Sequence, residues 1–557
     1  MDAAGATPPV VEDLPELVAA WLAEDPDPAS RAELRRLLDR WPGSAAELAD
    51  RFAGPLAFGT AGLRGPLRAG PNGMNLATVR AAAAGLVNWL DAQGATGPLV
   101  IGYDARHGSA RFAEETARVA TGAGRRALRL PAPLPTPVLA HAVRALGAVA
   151  GVMVTASHNP PQDNGYKVYL GADLGGPTGA GAQIAPPVDT EIEAAIRAVG
   201  PLSTVPLGPA GTVLDDRMVE SYVEGAAAVV DPSAPKDLAV AYTPLHGVGA
   251  EVFTRAMTRA GFPPPAVVAD QRDPDPDFPT VAFPNPEEPG AMDRVLALAA
   301  EQDADLVVAH DPDADRCAVA VPDRAGWRVL HGDELGVLLA DHLLRRGRTG
   351  RYVTTIVSSS LLKAVCEARG QAYAETLTGF KWIVRAGEDL AYGYEEALGY
   401  CVAPDLVRDK DGITAALLAC ELAAMLRAQS QTLTDRLDEL AAEFGVYATG
   451  QHSLRVATPA VLTSLMSRFR AAGPGSLLDE PVTSVEDRQP EADVVTVRTD
   501  RARVVVRPSG TEPKLKAYLE VVEPVAGRAD VPAARQRAQA ALSALRSEIA
   551  KLLVAPE

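Results

Sequence analysis

The sequence predicts an α/β protein with three similar α/β domains, each with a mainly parallel, mixed sheet, followed by a smaller α+β domain. Short apolar runs without polar alternation recur after about residue 75, as expected for strands buried on both faces. Each run leads into a polar or Gly/Pro-rich loop and then into an Ala- and Leu-rich stretch, which is the order of a βα unit. The clearest runs are PLVIG, AVAGVMV, DLAVA, DLVVA and YVTTIV.

The segment before the first strand predicts helices. Ser30 and Glu33 fit an S-x-x-E capping box ahead of the amphipathic run AELRRLLDR. Pro42 and Gly43 are expected to end this helix.

The C-terminal segment predicts a different arrangement. The runs RARVVVR and KLKAYLEVV flank the loop PSGTEP, and the second run has period-two alternation. This pattern indicates an antiparallel pair with one solvated face. A helix is expected from about Pro532, because proline suits the first turn of a helix. The changes in pattern along the chain predict four domains, over residues 1–207, 208–326, 327–445 and 446–557.

Composition excludes several classes of function. The 557 residues include 53 Lys and Arg against 71 Asp and Glu, a formal net charge of −18, which argues against a nucleic-acid or anionic-membrane binder. Four scattered cysteines without a CxxC pair argue against structural zinc. The N-terminus does not resemble a signal peptide, and no apolar run approaches the roughly 18 residues of a membrane helix. We expect a soluble, cytoplasmic protein, either a monomer or a small homo-oligomer.

Three carboxylates follow one of the predicted buried strands. Asp311, Asp313 and Asp315 alternate in HDPDADR, and like charges this close repel unless a cation lies between them. Oxygen ligands favour Mg²⁺ or Mn²⁺. An EF-hand is excluded, because Arg316 and Pro322 stand where its loop needs Gly and Glu. The alternative is a solvated acidic turn.

A serine follows another predicted strand. Ser157 lies in TASHNPP beside His158, and three interpretations are open. It could belong to a turn that caps its own backbone. It could be an acyl-transfer nucleophile, although no G-x-S-x-G surrounds it. It could also carry a phosphate held against a metal and nearby cations. Lys167, in NGYK, could steady a transferring oxygen or could be an ordinary surface lysine.

Further candidates lie in polar turns. The loop RPSGTEPK combines backbone N–H groups, hydroxyls and cations and predicts a phosphate clamp, with a plain hairpin turn as the alternative. The paired carboxylates of GYEEALGY could bind sugar hydroxyls, do acid–base work or simply lie on a helix face. The remaining candidates are in TGFKWI, in DKDGI and in the Gly-rich loop FGTAGLRG. Together these segments contribute Arg507, Ser509, Gly510, Thr511, Lys514, Glu395, Glu396, Gly379, Lys381, Lys410 and Arg64.

Together these segments resemble the α-D-phosphohexomutase superfamily, the phosphoglucomutase/phosphomannomutase enzymes. The resemblance runs from FGTAGLRG near residue 58 to RPSGTEPK near residue 507, in the family's order. The forms YEEALG and GFKWI are most similar to the branch that handles glucose and pentose phosphates. The resemblance implies four domains around a central cleft, three alike and the last one distinct and mobile.

The resemblance also implies roles for the candidate residues. Ser157 is implied as a phosphoserine whose phosphate binds one Mg²⁺ together with the three aspartates. Glu395 is implied to bind ring hydroxyls, and the RPSGTEPK loop to bind the phosphate that does not react. Lys167 and His158 are both candidates for the proton transfers. The supporting catalytic residues implied are Arg64, His158, Lys167 and Arg316.

The implied reaction is a phospho-sugar mutase reaction. Glucose 1-phosphate and glucose 6-phosphate would interconvert through a sugar bisphosphate, which serves as intermediate or activator, and mannose phosphates are further candidates. Ala397 replaces a serine found in many members, so a phosphopentomutase acting on ribose or deoxyribose phosphates is the alternative. A metal-dependent sugar phosphatase and a non-catalytic phosphosugar-binding protein are the remaining alternatives.

Overall fold

The computed structural model describes residues 13–59, 61–323, 326–456, 458–509 and 514–553. The chain forms two compact units. The first unit contains residues up to Leu330, Phe380–Glu388 and Leu398–Met425. The second unit contains His331–Gly379, Asp389–Ala397 and the residues from Leu426 onward.

Three helices precede the first strand: α1 (Leu14–Glu24), α2 (Pro28–Asp39) and α3 (Ala45–Arg51). The predicted capping box is wrong. The N-cap of helix α2 lies three residues earlier, at Asp27, whose side chain accepts a hydrogen bond from the N–H of Ala29 at 3.1 Å. Asp at the N-cap followed by Pro28 is a stronger start signal, which leaves Ser30 inside the helix. Glu33 instead pairs with Arg51 at 2.6 Å.

The first sheet of unit one has a parallel centre and an antiparallel edge. Its strand order is β1-β5-β4-β2-β3-β6, with β5 and β1 antiparallel to their neighbours. The central strands are buried, which confirms the strands predicted from PLVIG and AVAGVMV. The elements are β1 (Leu63–Pro66), α4 (Leu76–Ala92), β2 (Leu99–Tyr103), α5 (Ser109–Gly122), β3 (Ala127–Arg129), α6 (Thr136–Ala145), β4 (Ala150–Val154), β5 (Asp163–Leu170), α7 (Ala172–Gly179), α8 (Val188–Arg197) and β6 (Thr212–Val213).

The second sheet of unit one repeats this plan. Its order is β11-β10-β9-β7-β8, with β9, β7 and β8 parallel and β10 and β11 antiparallel. Strands β7 and β9 confirm the predictions from DLAVA and DLVVA. The elements are α9 (Arg217–Ala227), β7 (Val240–Thr243), α10 (Gly249–Arg259), β8 (Ala266–Val267), α11 (Asp293–Glu301), β9 (Leu306–His310), β10 (Cys317–Asp323) and β11 (Gly326–Val329).

A third sheet begins in unit two, where β12 lies between β13 and β14 and is parallel to both. The elements of this region are α12 (Gly332–Arg345), β12 (Arg351–Thr355), α13 (Leu361–Ala368), β13 (Ala372–Thr376), α14 (Phe380–Ile383), β14 (Leu390–Glu395), β15 (Gly399–Cys401), α15 (Gly412–Ala428) and α16 (Leu433–Phe444). Glu395 is the last residue of β14, so the alternative that placed the paired glutamates on a helix face is wrong. Among the described helices, none could span a membrane alone, and only α15 and α16 taken together pass a test of length and composition.

The C-terminal part of unit two is an antiparallel sheet of order β16-β22-β21-β20-β19. Its elements are β16 (Val446–Arg455), α17 (Pro459–Ala471), β17 (Ser476–Leu477), β18 (Glu480–Pro481), β19 (Ser484–Asp487), β20 (Val495–Arg498), β21 (Ala502–Pro508), β22 (Lys514–Glu523) and α18 (Val531–Leu552). The antiparallel pair β21–β22 and the helix with proline in its first turn confirm the predictions for this region.

The predicted solvated face of β22 is wrong. One face of the β21–β22 pair packs on α18, for example Leu519 near Leu542. On the other face, Val505 and Tyr518 belong to a buried cluster with Ile356. Both faces are therefore covered along part of the pair. Arg503 and Glu520 on the second face are buried, whereas Arg507 and Lys516 nearer the loop are half-buried.

Candidate active site

Ser157 lies in the turn between β4 and β5, and its backbone conformation is unusual. Its φ is +52°, in the left-handed region that non-glycine residues rarely adopt, and such strain persists only where surrounding contacts hold it. The N–H of Ser157 donates to Thr155 Oγ1 at 2.9 Å. The side chain is buried, so the hydroxyl is held in a fixed place instead of moving in solvent.

Arg106, in the loop after β2, holds this turn in place. Its guanidinium donates to the carbonyl oxygens of Ser157 at 2.6 Å, Asn159 at 2.5 Å and Pro160 at 2.7 Å. Asp104 lies 3.4 Å from the same guanidinium. A planar guanidinium can serve several acceptors at once, which an ammonium cannot do with the same geometry.

The three aspartates follow β9 and are all fully buried. One carboxylate oxygen from each aspartate lies within 4.8 Å of the other two. The hydroxyl of Ser157 donates to Asp311 Oδ2 at 2.8 Å. Asp313 Oδ2 accepts a hydrogen bond from Thr136 Oγ1 at 2.6 Å, where α6 begins. The structure thus brings the predicted serine and the predicted acidic cluster together within unit one.

Two lysines neutralise part of this acidic cluster. Lys167 Nζ lies 2.7 Å from Asp313 Oδ2 and 3.2 Å from Asp315 Oδ2. Lys410 Nζ lies 3.3 Å from the same Asp315 oxygen. Burial opposes the charge of Lys167, but the two aspartates outweigh it and raise the pKa of Lys167. Lys167 is therefore a buried part of the acidic cluster rather than a surface lysine, and Lys410, expected among the substrate-binding residues, lies at Asp315.

The aspartates themselves resist full ionisation without a cation. Burial, reinforced by Asp313 and Asp315, raises the pKa of Asp311 well above its usual value. Burial also opposes the charge of Asp313, but Lys167 and hydrogen bonds lower its pKa. One carboxylate is therefore stabilised by a lysine while its neighbour favours the proton.

The donor set fits a divalent cation. Asp313 Oδ1 and Asp315 Oδ1 are buried and accept no hydrogen bond from the part of the chain that the structure describes. Unsatisfied buried carboxylate oxygens are costly, and a cation bound to them would remove that cost. All-oxygen ligation suits Mg²⁺ or Mn²⁺.

Three more predicted residues surround Ser157. His158 Nδ1 lies 3.2 Å from Ser157 Oγ, and burial, aided by Arg316 and Arg64, lowers the pKa of His158 well below its usual value. The backbone N–H of Arg316 donates to Asp311 Oδ1 at 3.1 Å. Arg64, on β1, donates to Asn159 Oδ1 at 3.2 Å. Cationic side chains therefore accompany the acidic cluster on the side of the turn that carries Ser157.

The described residues of the predicted phosphate loop lie in unit two. Arg507 is half-buried near the end of β21, and the N–H of Ser509 donates to the carbonyl of Lys514 at 2.8 Å, which closes the hairpin. Gly510 and Thr511 lie outside the described residues.

Glu396 follows β14, and its carboxylate accepts a hydrogen bond from Ser358 Oγ at 2.9 Å. Gly379 precedes α14 with a φ of +110°. Lys381 lies on α14 in unit one, and burial lowers its pKa to about 8, with Asp189 opposing the shift.

The sequence analysis did not identify Arg106, Thr136 or Ser358. Arg106 lies in YDARHGS, which follows a predicted strand, so its position at the ligand-binding edge of the sheet was available as a signal. Thr136 and Ser358 carry no sequence signal of their own. Thr136 bonds Asp313, which is 177 positions away, and Ser358 bonds Glu396, which is 38 positions away.

Four domain models of one family match the chain in order. The models describe phosphoglucomutase/phosphomannomutase α/β/α domains I, II and III and the C-terminal domain. They match residues 55–201, 220–326, 331–444 and 470–534. The three matched α/β/α domains and the distinct last one agree with the architecture predicted from the sequence.

Individual relatives support the same assignment. A Haemophilus influenzae protein named "Probable phosphomannomutase" is 44% identical over 457 residues, which cover 80% of this chain and 93% of the relative. The phosphopentomutase of Mus musculus is 32% identical over 579 residues, covering 92% and 90%. The crystal structure of pp63/parafusin, a phosphoglucomutase from Paramecium, shares the fold with a TM-score of 0.68 at 18% identity, covering 90% and 96%. On these matches, the chain belongs to the phosphoglucomutase/phosphomannomutase family.

Proposed function

We propose that this enzyme interconverts glucose 1-phosphate and glucose 6-phosphate, with mannose phosphates as further substrates. The phosphoryl group would be carried by Ser157, and a bisphosphorylated sugar would be the intermediate. The observation that supports this most directly is the 2.8 Å contact between the Ser157 hydroxyl and Asp311, within a buried acidic cluster. A turn that only capped its own backbone would not require its hydroxyl to bond a buried aspartate 154 positions away in the chain.

Asp311, Asp313, Asp315 and the Ser157 phosphate would hold one Mg²⁺. When bound, the cation would neutralise charge on the phosphoryl oxygens and favour in-line displacement. The protein's own contribution is to fix the serine oxygen and to exclude water from it, because Ser157 is buried and Arg106 clamps its turn.

In the first half-reaction the P–O bond to Ser157 breaks and a bond to a sugar hydroxyl forms. The sugar hydroxyl's proton passes to a protein base, either His158 or Lys167, and the Ser157 oxygen that leaves phosphorus takes up a proton to become a hydroxyl again. Arg64 and Arg316 would stabilise the charge that spreads over the phosphoryl oxygens. Comparing His158→Asn with Lys167→Met separates the two bases, since loss of the base lowers kcat by about 10²–10⁴-fold.

Other predicted residues would bind the rest of the sugar phosphate. Arg507, Ser509 and Lys514 flank the turn that would bind the non-reacting phosphate, together with Gly510 and Thr511. Glu395 and Glu396 would bind ring hydroxyls, with Gly379, Lys381 and Lys410 as further contacts. The bisphosphate must turn around before its second phosphate returns to Ser157, so one clamp would serve both orientations.

Pentose phosphates are the second candidate substrates. Relatives named phosphopentomutase and phosphoribomutase match about nine-tenths of the chain, and Ala397 offers no hydroxyl to a hexose. The test is kcat/KM for the 1-phosphates of glucose, mannose, ribose and deoxyribose with the phosphorylated enzyme. We expect glucose 1-phosphate to be the best substrate, and a strong preference for a pentose would overturn that choice.

The same assay separates two other classes of function. A sugar phosphatase would release inorganic phosphate without forming the isomer, whereas a binding protein would retain the sugar phosphate without turnover. The domain boundaries at 207, 326 and 445 are also a proposal, which limited proteolysis and mass spectrometry of the fragments would test.

A further inference from the structure

Three consecutive serines follow β12 in unit two, and they contact charged groups on two sides. We call residues 356–360 the serine turn. Ser358 and Ser359 are almost completely buried. The N–H of Ser359 donates to Asp333 Oδ1 at 2.7 Å, and the same oxygen accepts the hydroxyl of Tyr394 at 3.1 Å. These contacts fix the serine turn to helix α12 and to strand β14.

The C-terminal sheet contributes a buried ion pair that binds the other side of the serine turn. Glu520 accepts hydrogen bonds from Ser359 Oγ at 2.8 Å, from the N–H of Ser360 at 2.8 Å and from Ser360 Oγ at 2.7 Å. Arg503 lies 3.1 Å from Glu520 and donates to the carbonyl of Ser358. A buried ion pair with its hydrogen bonds satisfied contributes geometric specificity more than stability.

Within the serine turn, the hydroxyl of Ser358 reaches the sugar loop. It donates to Glu396 Oε2 at 2.9 Å and accepts the N–H of Glu396 at 3.2 Å. Thr355 Oγ1 lies 2.9 Å from Ser358 Oγ and 3.3 Å from the same Glu396 oxygen. Both the backbone and the carboxylate of Glu396 are thus fixed by a residue that the sugar itself need not touch.

The ion pair lies on the same face of the sheet as the predicted phosphate clamp. Arg503 and Arg507 are four residues apart on β21, so they share a face, and across the ladder Arg503 pairs with Glu520. Tyr518 lies on this face too. Burial raises the pKa of Tyr518, Glu396 raises it further and Arg507 lowers it, so its hydroxyl is near both charges. The clamp arginine therefore lies on the same face of the sheet as the ion pair, and the ion pair is linked through Ser358 to the sugar-loop carboxylate.

We propose that Arg503, Glu520 and Ser358 are positioning residues that set the reach between the phosphate clamp and the sugar-loop carboxylates. This inference rests on the proposed mutase function and adds a determinant of substrate length. Hexose 6-phosphates and pentose 5-phosphates differ in how far the phosphate lies from the ring hydroxyls. In the orientation that places the 6-phosphate or 5-phosphate in the clamp, a fixed reach favours one length, whereas a loosened reach weakens binding and reduces the discrimination between the two sugars.

The most direct test removes a single buried oxygen. Ser358→Ala removes the hydroxyl that holds Glu396. We expect it to raise KM for glucose 6-phosphate about fivefold, the net worth of about one hydrogen bond to the substrate, with kcat within about twofold. We also expect the ratio of kcat/KM for glucose 6-phosphate to that for ribose 5-phosphate to change by about threefold or more, because misplacement affects the two lengths unequally. The matched control is Thr499→Ala, which removes a buried hydroxyl from the turn between β20 and β21. That hydroxyl bonds Glu480 and the backbone N–H of Ala502 and not the serine turn.

A second variant guards against a purely structural explanation. Arg503→Lys keeps the positive charge beside Glu520 but cannot reach both the carboxylate and the Ser358 carbonyl, so it should change the substrate ratio in the same direction as Ser358→Ala. The double variant should show less than the product of the two single effects, because both act on one network. A melting temperature lowered in these variants with KM and the substrate ratio unchanged would overturn the proposal.

The wild-type enzyme separates the inference from the function on which it rests. If wild type isomerises none of the sugar phosphates, the proposed function fails. Titration calorimetry with glucose 6-phosphate and ribose 5-phosphate then measures the reach directly, as the ratio of the two dissociation constants. An unchanged ratio in Ser358→Ala would contradict the inference, whereas a changed ratio would support it.

Discussion

The hydroxyl of Ser157 donates a hydrogen bond to Asp311 Oδ2 over 2.8 Å, although 154 positions separate the two residues in the chain. Each residue follows the carboxyl end of a parallel strand, β4 or β9, which is the edge where α/β sheets bind ligands. The contact joins a candidate phosphate carrier to a candidate metal site.

Chelation should stop the reaction. We expect EDTA to abolish mutase activity and Mg²⁺ or Mn²⁺ to restore it. Mg²⁺ at about 100 times its Kd should stabilise the fold by about 2.7 kcal/mol, measured as a shift in Tm. Asp313→Asn should remove most of that shift. The exposed Asp500→Asn is the control, and an equal Mg²⁺-induced shift in Asp313→Asn and wild type would contradict the metal assignment.

Arg106→Lys should lower kcat by about 10²-fold, the effect of a displacement of roughly 1 Å at the reacting atom. The lysine keeps the charge but cannot donate to the carbonyls of Ser157, Asn159 and Pro160 together. Stopped-flow phosphorylation of the enzyme by glucose 1,6-bisphosphate checks the effect. Arg111→Lys, an exposed arginine that pairs with Asp27, should react at the wild-type rate. Equal rates for the two variants would argue against a positioning role.

Ala397→Ser should shift the substrate preference toward hexoses. The added hydroxyl would lie two residues after Glu395, where it could bond the sugar, and one hydrogen bond is worth about fivefold in affinity. We expect the glucose-to-ribose ratio of kcat/KM to rise by about that factor. Ala95→Ser, at a half-buried alanine in unit one, is the control. A ratio that falls would contradict the assigned role of this loop.

Asp411 should make the free energy of unfolding depend on pH. Burial raises its pKa to about 6, against the hydrogen bonds from Tyr222 and from the backbone of Thr414 that lower it. Because the folded-state pKa is the higher one, the stabilisation is complete below about pH 4 and is lost as the pH rises through about 6.

Asp411→Asn does not ionise and should therefore gain stability relative to wild type between pH 4 and 7, by up to about 3 kcal/mol. The difference in Tm across that range checks the expectation, with Asp500→Asn as the exposed control. A difference that does not vary with pH would contradict the pKa of Asp411.

The sequence was sufficient for the sheets and for the acidic cluster because the signal is local. Unbroken apolar runs predicted β2, β4, β7, β9 and β12, and the D-x-D-x-D spacing predicted a cluster that the structure finds buried. The helix start was misjudged at Ser30 because two start signals competed, and Asp27 with Pro28 was the stronger.

The rest could not be predicted because it depends on long-range partners. A period-two pattern in β22 indicates that one face is polar, but it does not tell whether that face meets water or buried partners. Glu520 contacts three groups of the serine turn and Arg503, and so its part of the polar face is buried. The role of Arg106 could not be predicted for the same reason, since the carbonyl oxygens that accept its hydrogen bonds lie more than 50 positions away.

The central claim is that Ser157 carries the phosphoryl group, and intact-mass measurement with peptide mapping tests it most directly. After incubation with glucose 1,6-bisphosphate, we predict one phosphoryl group on Ser157, which is lost on addition of glucose 6-phosphate, and neither label nor mutase activity in Ser157→Ala. A phosphoryl group on another residue, or full mutase activity in Ser157→Ala, would contradict the account.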